Sequence, residues 1–97
     1  MVEVTFTRSA LDDLRHLEKA AQVVVLTAVE RQLPAEPLKQ TRNCKPLTPN
    51  DLSQWELRVG IHRLFYDVDE AKDQVTVKAS GWKEHNKLFI RGEEHEL

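Results

Sequence analysis

The sequence predicts an α+β domain, a small antiparallel sheet in β-α-α-β-β-β order with a helical hairpin packed on one face. Two observations support this. The first third of the chain carries one strand pattern followed by two apolar helical repeats, and the second half carries three strand patterns joined by short turns. Short links imply antiparallel neighbours, because a parallel crossover needs a dozen or more residues. The whole chain, residues 1–97, is expected to form a single domain.

The first strand and the first helix follow directly from local pattern. Residues 2–6 alternate apolar and polar side chains, which is typical of a strand with one buried face. Thr7 or Ser9 can cap the helix that follows. This helix is expected to reach about Glu18, with Leu11, Leu14 and Leu17 at helical spacing.

A second helix is expected from Lys19 to Leu33, and Pro34 ends it. The run of three valines at residues 23–25 also fits a strand, but the alanines, leucine and charged residues around it favour helix. The apolar positions expected to face the core include Val24. Residues 34–53 contain all four prolines and no clear period, so they are interpreted as a long connection, and such loops are usually functional or mobile.

Residues 55–68 are the most informative part of the chain, since two alternating patterns meet at Gly60 and predict a hairpin. Its core side is expected to carry Trp55, Leu57, Val59, Ile61, Leu64, Tyr66 and Val68, and its other side Glu56, Arg58, Arg63, Phe65 and Asp67. Two arginines on adjacent strands form a site for an anion, and phosphate is the obvious candidate.

A polar turn at residues 69–73 leads to a third strand, residues 74–80. Val75, Val77 and Ala79 are expected in its core, with Lys78 and Ser80 on the other side. The first strand is expected beside this last strand or at the open edge of the sheet. The chain ends in an acidic tail, residues 92–97.

Composition narrows the class of function. The net charge of −2 argues against a protein that coats nucleic acid, but residues 39–63 hold five cations and two acids, which predicts a local basic face. With one cysteine, Cys44, no internal disulfide is possible. The sequence contains no bilayer-length apolar run and no signal peptide, so a soluble cytoplasmic setting is expected. No phosphate loop, metal-ligand spacing or Ser/His/Asp arrangement is present, and no cofactor is expected.

Several motifs together resemble the RelE/ParE superfamily of toxins from bacterial type II toxin–antitoxin modules. They are Lys45-Pro-Leu47, Trp55-Glu-Leu-Arg-Val-Gly60, His62-Arg-Leu-Phe-Tyr66, Val75-Thr-Val77 and Gly81-Trp-Lys83. The resemblance covers most of the chain and implies the RelE-like fold. It also implies one of two activities. The RelE branch cleaves mRNA in the ribosomal A site, the ParE branch poisons DNA gyrase, and an antitoxin holds each inactive.

The resemblance implies three phosphate-binding cations. Arg63 corresponds to the arginine that holds the scissile phosphate in RelE-type enzymes, and a guanidinium offers fixed donors for two phosphate oxygens. Its alternative is an ion pair with Asp67 or Glu56. Arg58 matches a second strand cation, with a surface ion pair as the alternative. Lys83 matches a basic residue near the leaving group, although lysine orients phosphate less well than arginine.

Proton carriers are less clear. Glu56 stands where many relatives carry a cation, and it can either repel RNA or act as general base for a 2′-hydroxyl. His85 is the candidate for proton transfer near neutrality, with a solvated histidine as the alternative. Phe89 falls where some RelE enzymes carry a tyrosine, and it can stack on a base but cannot donate a proton; ordinary core packing is its alternative.

The remaining candidates concern RNA contact. Arg42, Lys45 and Lys87 are candidate backbone-positioning cations. Strand parity assigns Trp55 to the core and leaves the role of Trp82 open. The main hypothesis is an endoribonuclease that cleaves ribosome-bound mRNA through attack of the 2′-hydroxyl, giving a 2′,3′-cyclic phosphate, with a cognate antitoxin as partner. The alternative is a ParE-like gyrase inhibitor or a catalytically decayed binding module.

Overall fold

The computed structural model describes residues 2–34, 38, 40–50 and 52–95. The two helices are α1, Arg8–Arg15, and α2, Lys19–Gln32. The strands are β1, Glu3–Phe6; β2, Cys44–Pro46; β3, Trp55–Val59; β4, His62–Asp69; β5, Gln74–Glu84; β6, Lys87–Ile90; and β7, Glu93–His95. Lys39 and Asp51, which entered the local charge balance above, lie outside the described residues. No helix in the described part of the chain is long and apolar enough to cross a membrane.

The described residues form one sheet of seven strands, whose antiparallel path runs β2-β3-β4-β5-β6-β7, and β1 pairs with β5 in parallel. The length of β5 explains this arrangement. Its first half pairs with β1 at residues 74–77, and its second half pairs with β6 at residues 82–84. The predicted α+β class, the antiparallel meander and the position of β1 beside its third strand are confirmed.

Both helices form where the sequence predicts them, with small changes at their ends. The Thr7 hydroxyl caps α1 by accepting the Ala10 N–H at 3.1 Å, which satisfies one of the free donors of the first turn. Helix α1 ends at Arg15, earlier than the predicted Glu18. Helix α2 ends at Gln32, one residue before the predicted Leu33, and Pro34 follows as the predicted stop.

The main core lies between the helices and one face of the sheet. Its buried members are Ala10, Leu14, Val25, Val29, Leu33, Cys44, Leu57, Leu64, Tyr66, Val75 and Val77. The predicted core side of the hairpin is confirmed for most positions, including Trp55, whose ring stacks on Tyr66 at 6.2 Å between centroids. The prediction is wrong for Ile61, which is 59% exposed because it lies in the Gly60-Ile61 turn.

The helix predictions overstate how much of the apolar surface is buried. Val24 is 55% exposed and Leu11 is 41% exposed, so neither belongs to the core. The buried positions of α2 recur every four residues at Val25 and Val29 and continue to Leu33, which leaves Val24 on the outer side of the helix.

A β-bulge changes the parity of β5. Phe65 pairs with Ala79 and the next residue, Tyr66, pairs with Val77, so Lys78 has no partner position in β4. Ala79 therefore packs with Phe65 on the face that the helices leave open, whereas Ser80, opposite Leu64, turns toward the helices. The predicted orientations of Ala79 and Ser80 are both wrong for this reason.

Three strands escaped sequence analysis. Strand β2 lies inside the predicted long connection, as a short edge strand that ends at Pro46. Strand β6 follows the two-residue turn His85-Asn86, and β7 follows the turn Arg91-Gly92. All four turn residues have positive φ, between 52° and 79°, as expected for type I′ hairpins. Part of the predicted acidic tail is thus a strand.

Candidate functional site

A groove of about 600 Å³ opens on the sheet face that the helices do not cover. Its lining residues are Lys45, Pro46, Leu47, Thr48, Asn50, Glu56, Phe65, Lys83, Asn86, Lys87, Leu88, Glu94 and His95. Strands from both ends of the path contribute, since Lys45 belongs to β2 and His95 to β7. The sheet must therefore curve around the groove, and residues far apart in sequence meet in it.

A second, smaller apolar cluster lies on this face and reaches the groove through Leu47, Phe65 and Leu88. It contains the buried residues Phe65, Ala79, Leu88 and Ile90, against which Leu47 and Leu52 pack. The loop that supplies these two leucines is held in shape by Asn50, whose Oδ1 accepts the N–H groups of Leu52 and Ser53 at 2.7 and 3.0 Å. A small apolar cluster with a structured loop beside it leaves the rest of this face to polar side chains.

Glu56 is the buried charge of this site. It is 4% exposed, lies on β3 opposite Phe65, and has its carboxylate within 3.4 Å of Arg58 Nε and 3.2 Å of Arg63 Nε. The two arginines are directly opposite each other in the β3–β4 pair, which brings both guanidinium groups to the same side of the sheet. They converge, as the sequence suggested, and the carboxylate between them is Glu56.

The guanidinium of Arg63 is largely buried and is occupied by contacts with neighbouring protein groups. Its side chain is 12% exposed, compared with 39% for Arg58. One terminal nitrogen donates to the carbonyl oxygens of Gly60 and His62 at 2.7 and 2.9 Å. Burial lowers the pKa of Arg63, Glu56 opposes this shift and Arg58 adds to it. The ion pairs considered for both arginines are present, with Glu56 rather than Asp67 as the partner of Arg63, and neither arginine lines the groove.

Three lysines supply the cations of the groove wall. Lys45 lies on β2 opposite Glu56, Lys83 lies on β5 opposite Leu88, and Lys87 begins β6. All three were predicted as phosphate or RNA contacts, and the structure brings them into one groove. Their roles toward a ligand stay predictions.

Three further candidates, His85, Phe89 and Arg42, also lie outside the groove lining. His85 occupies the first position of the β5–β6 turn with φ 52°, where histidine and asparagine are among the more tolerated residues. Phe89 stacks on Trp82 at 6.0 Å and alternates with Leu88, so it points to the opposite face. Arg42 is exposed in the segment before β2. Ordinary packing thus accounts for Phe89, although against Trp82 and not beside Leu88.

Sequence reasoning missed His95 and Glu94, because it read the last residues as a tail. A signal was present: Arg91-Gly92 separates two short segments, and a residue followed by glycine is typical of a two-residue hairpin turn. His95 pairs with Leu88, which pairs with Lys83, so these three side chains form one row on the groove side of the sheet.

Contacts with α1 hold in place the turn that precedes β7. Asp13 of α1 is 4% exposed; its carboxylate accepts the Ser80 N–H at 3.2 Å and forms a close ion pair with Arg91 Nε. A terminal nitrogen of Arg91 also donates to the Ser9 carbonyl at 3.3 Å. The Asp13 carboxylate holds the pKa of Arg91 above its ordinary value. One buried carboxylate therefore links α1, β5 and the β6–β7 turn.

This arrangement offers cations, one buried carboxylate and one histidine to an anionic ligand. Lysine ammonium groups neutralise phosphate charge, and a carboxylate and an imidazole can exchange protons with it. Within the described ranges, no group of three or more histidine, cysteine or acidic side chains is arranged to hold a metal ion.

Several solved structures have a similar fold. A chain of the RelBE2 toxin–antitoxin complex from Mycobacterium tuberculosis superposes with a TM-score of 0.74 at 28% identity, covering 84% of this chain and 98% of that one. By its fold, the chain is a member of the RelE-like toxin superfamily. No family model and no curated protein sequence matches it.

Two further structures extend the comparison. The archaeal RelE–RelB complex from Pyrococcus horikoshii gives a TM-score of 0.64 at 22% identity, covering 78% of this chain and 88% of that one. The YoeB–YefM complex from Staphylococcus aureus gives 0.62 at 17% identity, covering 87% and 99%. At these identities the likeness concerns the fold alone. The RelBE2 chain, at 28% identity, comes from a toxin–antitoxin complex, which supports a toxin role.

Proposed function

We propose that this protein is the toxin of a toxin–antitoxin pair and cleaves mRNA on the ribosome without a metal ion. The 2′-hydroxyl of the RNA attacks the adjacent phosphate, which gives a 2′,3′-cyclic phosphate and a free 5′-hydroxyl. The observation that carries the proposal is the groove on the open face, where three lysines and a buried carboxylate line the same cavity on a RelE-like fold.

The residues in and beside the groove have separate roles in the proposed reaction. Glu56 is the general base for the 2′-hydroxyl, because it is an acceptor fixed between two guanidinium groups and borders the groove. Lys83 neutralises charge that develops on the phosphate, and Lys45 and Lys87 bind neighbouring phosphates. Arg58, the more exposed arginine, does not line the groove but adds positive charge beside Glu56. Arg63 holds Glu56 and adds positive charge to the same region.

The proposed partner is an antitoxin, as in the toxin–antitoxin complexes that share the fold. An exposed apolar surface on α2 is available to it, since Val23 and Val24 are 63% and 55% exposed on successive residues. Exposed valines on a helix favour a partner that covers them. Co-expression of the antitoxin should restore growth of a host arrested by this protein.

A cleavage assay on programmed ribosomes tests the proposed activity. Purified protein should cut mRNA in the A site, and the upstream fragment should end in a 2′,3′-cyclic phosphate. Glu56→Gln should slow cleavage by about 10²-fold or more, because the base is lost while its shape is kept. Glu84→Gln is the matched control. Glu84 is exposed, follows Lys83 on β5 and therefore points to the other face of the sheet, and it does not line the groove.

A second pair of variants tests charge neutralisation. Lys83→Gln should slow cleavage by about 10²-fold, whereas Lys78→Gln, which removes an exposed lysine paired with Asp67, should leave the rate within about twofold. Equal rates for wild type and Lys83→Gln would remove this lysine from the mechanism.

The competing function is a non-enzymatic binder, either a ParE-like gyrase inhibitor or a toxin fold without activity. The observation that favours it is the pairing of both arginines with Glu56, which leaves less positive charge for RNA. Inhibition of gyrase supercoiling by the purified protein, together with intact mRNA on the ribosome, would establish this function and exclude the nuclease.

A further inference from the structure

We propose that His95 is the general acid of the cleavage reaction, the group that protonates the departing 5′-oxygen. This inference rests on the proposed function and assigns a residue that the sequence did not suggest. It starts from the register of the last three strands, in which Lys83, Leu88 and His95 stand in one row across β5, β6 and β7. Directly opposite residues share a face, so the imidazole lies on the groove side.

Two alternative proton carriers are placed unfavourably. Phe89 has no proton to give and stacks on Trp82 on the other face. His85 lies in an exposed turn and does not belong to the groove lining. Among the described residues, His95 is the histidine that lines the groove, together with Glu56 and Lys83.

The chemistry requires such a group. As the 2′-oxygen bonds to phosphorus, its proton passes to Glu56; as the bond from phosphorus to the 5′-oxygen breaks, the electron pair stays on that oxygen. A proton from the His95 imidazolium then gives a free 5′-hydroxyl. One proton is taken and one is delivered, so the enzyme returns to its starting form after Glu56 and His95 exchange protons with water. Histidine suits this step because it can hold or release a proton near neutrality.

The ion pair between Asp13 and Arg91 gives His95 a fixed position. Arg91 begins the turn that starts β7, and Asp13 ties this turn to α1. Without that link, a three-residue edge strand would fray, and His95 would leave the groove. The proposed general acid therefore lies on β7, at the end of the sheet path, and not on a central strand.

The test measures single-turnover cleavage of ribosome-bound mRNA by wild type, His95→Gln, His85→Gln and the control His16→Gln. His16 lies at the end of α1, where its ring nitrogen contacts the Asp12 carbonyl at 2.7 Å. We expect His95→Gln to be slower by about 10²-fold and His85→Gln and His16→Gln to match wild type. A second mRNA carries sulfur in place of the 5′-bridging oxygen at the cleavage site. A thiolate leaves without a proton, so this substrate should restore His95→Gln to nearly the wild-type rate.

Each outcome decides the assignment. A rate for His95→Gln within twofold of wild type on the oxygen substrate, or an equal loss on both substrates, would overturn the role of His95 while leaving the nuclease intact. Sulfur rescue of His85→Gln in its place would transfer the role to the turn. If wild type cuts neither substrate, the proposed function fails, and this inference fails with it.

Discussion

The two faces of the sheet differ in what covers them and in what they cover. On one face, two helices bury eleven residues of a continuous apolar cluster, and on the other only four buried residues form the smaller cluster that reaches the groove. The same strands supply both. Most apolar area is removed from water on the helix-covered face, so packing there contributes most of the hydrophobic free energy of folding.

The open face carries groups that do not help the chain fold. Burying a carboxylate such as Glu56 is unfavourable unless it is paired, and pairing with two arginines offsets the loss rather than adding stability. Replacement of such a set by apolar residues is often neutral or stabilising. A charged cluster kept on this face is therefore more readily explained by a ligand than by the fold.

The largest expected effect is a leucine truncation on the helix-covered face. Leu64→Ala removes a fully buried side chain from the main core and should destabilise the protein by about 3 kcal/mol or more. Leu88→Ala, in the small cluster of the open face, should cost roughly 2 kcal/mol, because solvent can enter beside it. Urea unfolding of both variants measures the difference. A larger loss for Leu88→Ala would reverse the ranking of the two faces.

A glycine on the open face is expected to have the next largest effect. A Cβ at Gly81 would meet the Phe89 carbonyl oxygen and the Ile90 side chain, so Gly81→Ala should separate β5 from β6 and cost roughly 3 kcal/mol. Gly60→Ala is the matched variant. Nothing lies within 4 Å of its added Cβ, and only the positive φ of 60° is unfavourable, at about 1–2 kcal/mol. Equal unfolding midpoints for the two variants would contradict the close approach at Gly81.

The contacts of Asp13, which connect α1 to β5 and to the β6–β7 turn, should contribute less to the free energy of unfolding. Asp13→Ala leaves the buried Ser80 N–H without its acceptor, and we expect a loss of about 1–3 kcal/mol in the free energy of unfolding. Asp12→Ala removes the neighbouring carboxylate, which is 40% exposed and pairs with Arg15, and should cost under about 0.5 kcal/mol. Thermal melts of both variants make the comparison. Similar melting temperatures would show that the Asp13 contacts are not required.

These effects also mark what the sequence could predict. Period and turn chemistry gave the helices, the Gly60 hairpin and the core side of β3 and β4, because each depends on neighbours within a few residues. The groove depends on residues of β2 and β7, from opposite ends of the sheet path, lining one cavity, which no local pattern encodes. His95 is the clearest case, since its position follows from two successive pairings that start at Lys83.

The errors have physical causes of the same kind. A single extra residue at Lys78 reverses the faces of Ala79 and Ser80, and alternation alone cannot reveal a bulge. The turn at His85-Asn86 lacks the glycine that usually marks a type I′ turn, so β6 went unpredicted. The pairing of Glu56 with both arginines was predictable from cross-strand register, but its burial was not.

The smallest expected effect concerns His62, which precedes Arg63 on β4 and points to the opposite, helix-covered face. Burial lowers the pKa of His62, with a further contribution from the Arg63 charge, and its Nδ1 is buried without a hydrogen-bond partner among the described residues. Above the ordinary pKa of about 6.5, His62 is neutral in both the folded and the unfolded chain. As the pH falls through about 6.5, the unfolded chain binds a proton that the folded chain resists, so the free energy of unfolding decreases. His62→Gln should therefore lose less stability than wild type between pH 7.5 and 5.5. Parallel urea midpoints for wild type and His62→Gln across this range would show that the helix-side position of His62 does not disfavour its charge.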